Sequence, residues 1–252
     1  MGPVASLAGA GAVLMALLLA AIPRLPDAPA LRDEGRVCLP RRGLLLLGVL
    51  AFLGLVGEGA MADWSAVYLR QSLGSPAWAA ALGFAAYSLG MTAARFLGDR
   101  LSRAAGDAAL LRGGAGLAAA GLGGALAMGH PIPAVIGLGL VGAGLANVVP
   151  VLFRAASRVP GVAAVSGIAT TSTVGYLGFL AGPPAIGALA DAASLPVALA
   201  MVVAAVAVIA LLGGLALAPA TGRAGEDFGA GPMIPAAEAT AGEVGRGCLD
   251  AG

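Results

Sequence analysis

The stretch GLLLLGVLAFLGLVGEGAMADWSA, residues Gly43–Ala66, decides how this chain is read. It follows the basic pair Arg41-Arg42 and runs without a charge until Glu58. About 18 or more apolar residues suffice to cross a hydrocarbon core of roughly 30 Å as a helix. Lipid offers no partner to an unpaired backbone N–H or C=O, so a segment of this kind crosses as a helix. Working outward, six more stretches carry the same pattern: Pro3–Ile22, Pro76–Leu97, Ala108–Met128, Ile132–Phe153, Val162–Leu189 and Leu195–Leu217. The expected fold is an all-α membrane protein of about seven transmembrane helices. Pro and Gly punctuate the joints, at Pro23, Pro26, Pro40, Gly74-Ser75-Pro76, His130-Pro131 and Leu195-Pro196.

Composition agrees. Of the 252 residues, 59% are hydrophobic and 11% charged, with a mean hydropathy of +0.94. A soluble domain carries roughly 25% charge, so the lipid bilayer is the first partner implied. The 41 glycines are dispersed rather than periodic, which suits helices packing closely in lipid and not collagen. A net charge of +1, without a Lys/Arg run, gives no sign of nucleic-acid binding.

The arginines fix an expected orientation, since the chain has no lysine. The first gap holds Arg24, Arg32, Arg36, Arg41 and Arg42. The third holds Arg100 and Arg103, with Arg95 and Arg112 at the flanking helix ends, and the fifth holds Arg154 and Arg158. The second gap has Arg70 alone, and the fourth and sixth have none. The positive-inside rule therefore places the odd gaps in the cytoplasm, the N-terminus outside and the C-terminus inside, in a multi-pass plasma (inner) membrane protein. The apolar opening lacks the preceding positive charge of a signal peptide and is expected to be a retained helix. Cys38 and Cys248 fall on the cytoplasmic side and are read as reduced thiols, with no metal site near either. Residues 1–22 form the first expected helix, 23–42 a cytoplasmic linker, 43–217 a six-helix bundle and 218–252 a disordered cytoplasmic tail, rich in Gly, Ala and Glu.

The third gap and its flank read GMTAARFLGDRLSRAAG, residues 90–106. Composition favours a solvated basic loop here; the alternative is that Asp99 pairs with an arginine near a neighbouring helix N-terminus. With Arg95, this stretch resembles the gating-loop signature of the major facilitator superfamily, through Gly98, Asp99, Arg100 and Arg103, although Ser102 stands where that pattern commonly has Gly. Glu58-Gly-Ala-Met-Ala-Asp63-Trp64-Ser-Ala-Val-Tyr68-Leu resembles the seventh helix of its fucose-permease-like branch. Gly175-Tyr-Leu-Gly178-Phe-Leu-Ala-Gly182-Pro183-Pro184-Ala-Ile-Gly187 resembles the eleventh. The resemblance covers roughly residues 1–217 and implies helices six to twelve of a twelve-helix carrier. Such carriers hold substrate between two six-helix halves. The partners it implies are a small-molecule solute and either a missing N-terminal half or a second copy.

Several residues carry functional expectations. Glu58 lies within the second helix, toward its outer part, where a carboxylate costs about 2.5–3.5 kcal/mol. It either faces a polar cavity, suiting proton binding and release, or reaches headgroups or Arg70. Asp63 lies nearer the interface, where an aromatic belt accounts for Trp64 and Tyr68. Asn147, Tyr87 and Thr171, with Thr170, Ser172 and Thr173, either contact substrate or hydrogen-bond neighbouring helices. Gly182, Pro183 and Pro184 are read as a helix kink, and the Gly178/Gly182 spacing allows close helix approach. His130, the one histidine, reads as a solvated turn residue.

The function classes narrow accordingly. No phosphate-cradling Gly-x-x-x-x-Gly-Lys sequence exists to use ATP, and no lysine to hold retinal. No Ser/His/Asp set or paired carboxylates suggest an enzyme, and no cofactor is called for. A secondary transporter working by alternating access is expected, as symporter or antiporter and with Glu58 the candidate for proton coupling. It would be a partial chain or fragment. The alternative is a truncated, non-transporting half-carrier acting as a scaffold or inert product.

Overall fold

The computed structural model describes residues 42–221, and among them the fold is helical throughout. The expected helix Pro3–Ile22, nearly all of the linker, most of the tail, Cys38 and Cys248 lie outside the described residues.

The helices are α1 (Arg42–Val67), α2 (Ala77–Ala105), α3 (Asp107–Met128), α4 (Pro131–Leu145), α5 (Val148–Ala156), α6 (Ala164–Ala192) and α7 (Leu195–Thr221). A π-helical turn, Tyr68–Ser72, extends α1, and α5 continues α4 after a break at Ala146-Asn147. Together they make six spans long and apolar enough to cross a membrane. The joints follow local chemistry. Gly106 and Gly129 adopt φ of 83° and 55°, conformations that a Cβ would strain. At Gly129 the chain closes α3 with a bond from its N–H to the Ala125 carbonyl. Pro131 then opens α4 at a position where no N–H is needed.

His130 is an exposed joint residue, as expected, and it also caps α4, its Nδ1 accepting the Ile132 N–H at 3.4 Å. Two expectations change here. The span expected to end at Leu97 runs on to Ala105, so Gly98-Asp99-Arg100 forms helix and the connecting loop shrinks to Gly106. Polar turns continue a helix readily once it leaves the hydrocarbon, which is why the charged residues did not stop it. The last span also passes Leu217 and continues to Thr221.

Glycine sets the packing. α1 packs chiefly on α6, α4 on both α2 and α3, and α3 on α7. On α6, Gly175, Gly178 and Gly182 seat against Ala51, Phe52 and Val56 of α1. Gly142 of α4 lies on the Tyr87 carbonyl of α2, and Gly144 on the Gly114 carbonyl of α3. At Gly178, Gly142 and Gly144 a Cβ would collide with a backbone carbonyl, and at Gly175 and Gly182 it would press on α1. Small residues permit this approach where lipid supplies no hydrophobic drive between helices. The core is filled by Leu47, Leu50, Leu122, Leu138, Leu145 and Leu152. α1 and the α4–α5 span are the most enclosed, whereas α2 and α6 leave broad apolar faces open.

Candidate functional site

α1 enters from, and α2 returns to, the same end of the bundle. Glu58 lies 15 residues along from Gly43 and Arg95 lies 10 residues before Ala105. At 1.5 Å per residue both stand about 15–22 Å along their helices from that end. There Arg95 Nη2 approaches Glu58 Oε2 to 3.9 Å. The Glu58 side chain is 15% exposed and that of Arg95 52%. Two charges at this depth are tolerated because each offsets the other. The second carboxylate oxygen, Oε1, is buried with no hydrogen-bond partner among the described residues. Tyr87 is buried close enough to interact electrostatically with both Glu58 and Arg95, and its hydroxyl donates to Met91 Sδ at 3.8 Å.

Glu58 is partnered by Arg95 and not by Arg70. Arg95 was expected at the end of its helix; it lies inside α2 instead, which continues 10 residues beyond it. The resulting site carries one carboxylate oxygen free to take a proton or a donor. Its guanidinium is half open on the outer face of α2.

At the arginine-rich end Asp99 is solvated, and an interhelix clamp is formed by a different carboxylate. Asp99 is exposed and has no arginine partner among the described residues; its backbone carbonyl accepts from Arg103 Nε at 3.2 Å. Asp107, in the first turn of α3, instead pairs with Arg154 of α5 at 3.5 Å and accepts from Ser102 of α2. Arg154 also donates to the Ser102 hydroxyl at 3.4 Å. Three spans are thus tied by residues the motif did not single out. The signal was available: an acid in a first turn opposite the basic end of the next span. Arg100 and Arg103 are exposed on the last turns of α2.

The remaining candidates separate by environment. Asn147 sits at the break between α4 and α5 and donates from Nδ2 to the Ala94 carbonyl at 3.1 Å. Gly98 is packed so closely on its carboxamide that no Cβ would fit. Asn147 and Gly98 therefore fasten this span to α2. Thr171 is fully buried, its hydroxyl unpartnered among the described residues. It shares a face with Gly175 and so looks toward α1. Ser172 and Thr173 hydrogen-bond back to the Ala169 carbonyl. Asp63 is exposed. Tyr68 is not a belt residue: it is 1% exposed and donates to the Ala125 carbonyl of α3 at 3.2 Å. Trp64 packs over Gly187 of α6. Pro183 and Pro184 lie inside α6, which stays helical through both; Pro183 and Gly182 rest against Gly59 and Val56 of α1. Among the sequence candidates, Glu58 is brought to Arg95 with Tyr87 nearby, and Gly98 is packed on Asn147.

No family profile matches the chain. It is, however, 36% identical over 199 residues to an uncharacterized MFS-type transporter of Yersinia pestis, covering 79% of this chain and 52% of that protein. It is 39% identical over 167 residues to the membrane protein MosC of Rhizobium meliloti, covering 66% of this chain and 41% of that one. It is 37% identical over 158 residues to an uncharacterized transporter of Sinorhizobium fredii, covering 62% and 42%. The chain spans about half the length of the curated relatives it matches. It is a multi-pass helical membrane protein related in sequence to MFS-type transporters.

Proposed function

We propose that this chain is the C-terminal half of a major facilitator carrier, of the fucose-permease-like branch, that moves a small solute by alternating access. The Glu58–Arg95 pair carries the reading: a carboxylate and a guanidinium hold each other inside the spans of a chain related to transporters. Charged residues at that depth mark solute or ion paths. Glu58 takes up and releases the coupling proton, with Arg95 and Tyr87 beside it. The chain lies in the plasma membrane with its C-terminus in the cytoplasm, in keeping with Arg100, Arg103, Arg154 and Arg158 meeting at one end. The open faces of α2 and α6, where Trp78, Leu89, Phe96, Tyr176 and Leu180 are exposed, receive the N-terminal half or a second copy.

The test is transport by the completed carrier in vesicles under an imposed pH gradient. Glu58→Gln is expected to abolish gradient-driven uptake while leaving solute exchange. Unchanged gradient-driven uptake would remove Glu58 from the mechanism. A second reading, a half-carrier serving as a scaffold, is supported by the half-length overlap with the relatives. It predicts no uptake in vesicles holding this chain, with or without an N-terminal half.

A further inference from the structure

Arg112 takes no part in the site just described, yet its side chain is closely fixed. It lies in α3 five residues after Asp107, about 8 Å along the helix. That places it just inside the end where Arg100, Arg103, Arg154 and Arg158 also gather. Its stem runs across Gly213 and Gly214 of α7, with Cδ 3.2 Å from where a Cβ on Gly214 would stand. Its Nε donates to the Ala210 carbonyl of α7 at 3.1 Å. No carboxylate pairs with it among the described residues. Asp107 is taken up by Arg154 and Ser102.

Space opens on both sides of this turn. Between α3 and α7 lies a cavity of about 530 Å³ lined by Ala108, Ala109, Arg112, Gly113, Ala210 and Leu211. Between α2, α3 and α4 lies a second crevice of about 250 Å³, walled by Leu101, Leu110 and Leu117. Ala109 and Gly113 line both. An oriented guanidinium with unused N–H groups thus stands at interfacial depth, beside apolar slots.

We propose that Arg112 binds the phosphate of an anionic phospholipid from the surrounding leaflet, with acyl chain lying in the adjoining crevice. A guanidinium offers two parallel donors to a phosphate. Basic pockets between membrane helices suit anionic headgroups. The apolar walls suit a lipid over a water-borne anion. Among the described residues Arg100, Arg103, Arg112, Arg154 and Arg158 outnumber Asp99 and Asp107 at this end, which favours a headgroup of net negative charge. The inference stands independently of the transport reading.

The test compares the full chain in nanodiscs of phosphatidylcholine alone and of phosphatidylcholine mixed with phosphatidylglycerol. Phosphatidylglycerol is expected to raise Tm of the parent, because a ligand of the folded state stabilises it. Arg112→Gln is expected to lose that rise and to retain several-fold less phosphatidylglycerol by mass spectrometry. Gly113→Leu is the second variant. A Cβ there meets nothing within 4 Å, and Gly113 lines both openings, so a leucine side chain would project into the proposed lipid site. It is expected to keep the parent Tm in phosphatidylcholine and lose the rise. An equal rise in parent and Arg112→Gln overturns the proposal. So does an equal drop of Arg112→Gln in both lipids, which would make Arg112 a fastener of α3 to α7 alone. If Arg112→Gln does not fold, a full phosphatidylglycerol rise in Gly113→Leu overturns it.

Discussion

Removing one charge of the Glu58–Arg95 pair should cost more than removing both. At 3.9 Å and an effective dielectric near 20, the Coulomb attraction is about 4 kcal/mol. Arg95 is half exposed, so its surroundings screen part of this, and the realised coupling should be about 1–3 kcal/mol. Glu58→Gln alone strands the guanidinium within the span, and Arg95→Gln alone strands a largely buried carboxylate. The double variant strands neither. A double-mutant cycle on the purified full chain, read by denaturant unfolding in mild detergent, should therefore return a favourable coupling of about 1–3 kcal/mol. Arg95→Gln should be the more damaging single change, because Glu58 is the more enclosed partner and its Oε1 is already unsatisfied. A coupling within about 0.5 kcal/mol of zero would show that the two charges do not depend on each other, and the site would dissolve with that result.

Other expectations rest on separate contacts. Asp107→Ala removes the carboxylate shared by Arg154 and Ser102 and should cost about 1–3 kcal/mol in the same unfolding assay. An unchanged midpoint would leave apolar packing alone in charge of that end. Gly142→Ala drives a Cβ into the Tyr87 carbonyl and should cost about 2–3 kcal/mol or more. Gly116→Ala meets nothing within 4 Å and should be neutral or stabilising by up to about 1 kcal/mol. Equal effects from the two glycines would refute the close-packed account of α4. Tyr68→Phe should lose about 0.6 kcal/mol, the ordinary worth of one hydroxyl bond between membrane helices; a loss several times larger would assign Tyr68 a further role.

Much of the architecture was legible because hydrophobic span length and turn residues are local properties. Gly74-Ser75-Pro76 and His130-Pro131 mark joints in both the sequence and the structure. Arg95 was misplaced for an instructive reason. Gly98-Asp99-Arg100 reads as a break in an apolar run, but water at a membrane surface accepts charged helical turns. Extending α2 to Ala105 moves Arg95 from helix end to helix interior, and an arginine there demands a partner. Its partner Glu58 was visible as an intramembrane acid, yet nothing local announces that α1 and α2 bring the two together. The Asp107–Arg154 contact was hidden in the same way, since it joins residues far apart in the chain. Tyr68 and Trp64 stand near a span end, where belt residues are common. Only packing shows that Tyr68 turns inward to Ala125 and that Trp64 lies on Gly187.

Side-specific labelling at the two ends of α3 probes the threading most directly. Single cysteines at Ala105, the last residue of α2 before the Gly106 joint into α3, and at Met128, the last residue of α3, in a background with Cys38 and Cys248 changed to serine, sit at exposed positions on either side of that helix. In sealed cells, a membrane-impermeant maleimide should reach position 128 at once and position 105 only after the membrane is opened. Labelling of both positions in intact cells would contradict a helix that crosses the bilayer with its arginines inside.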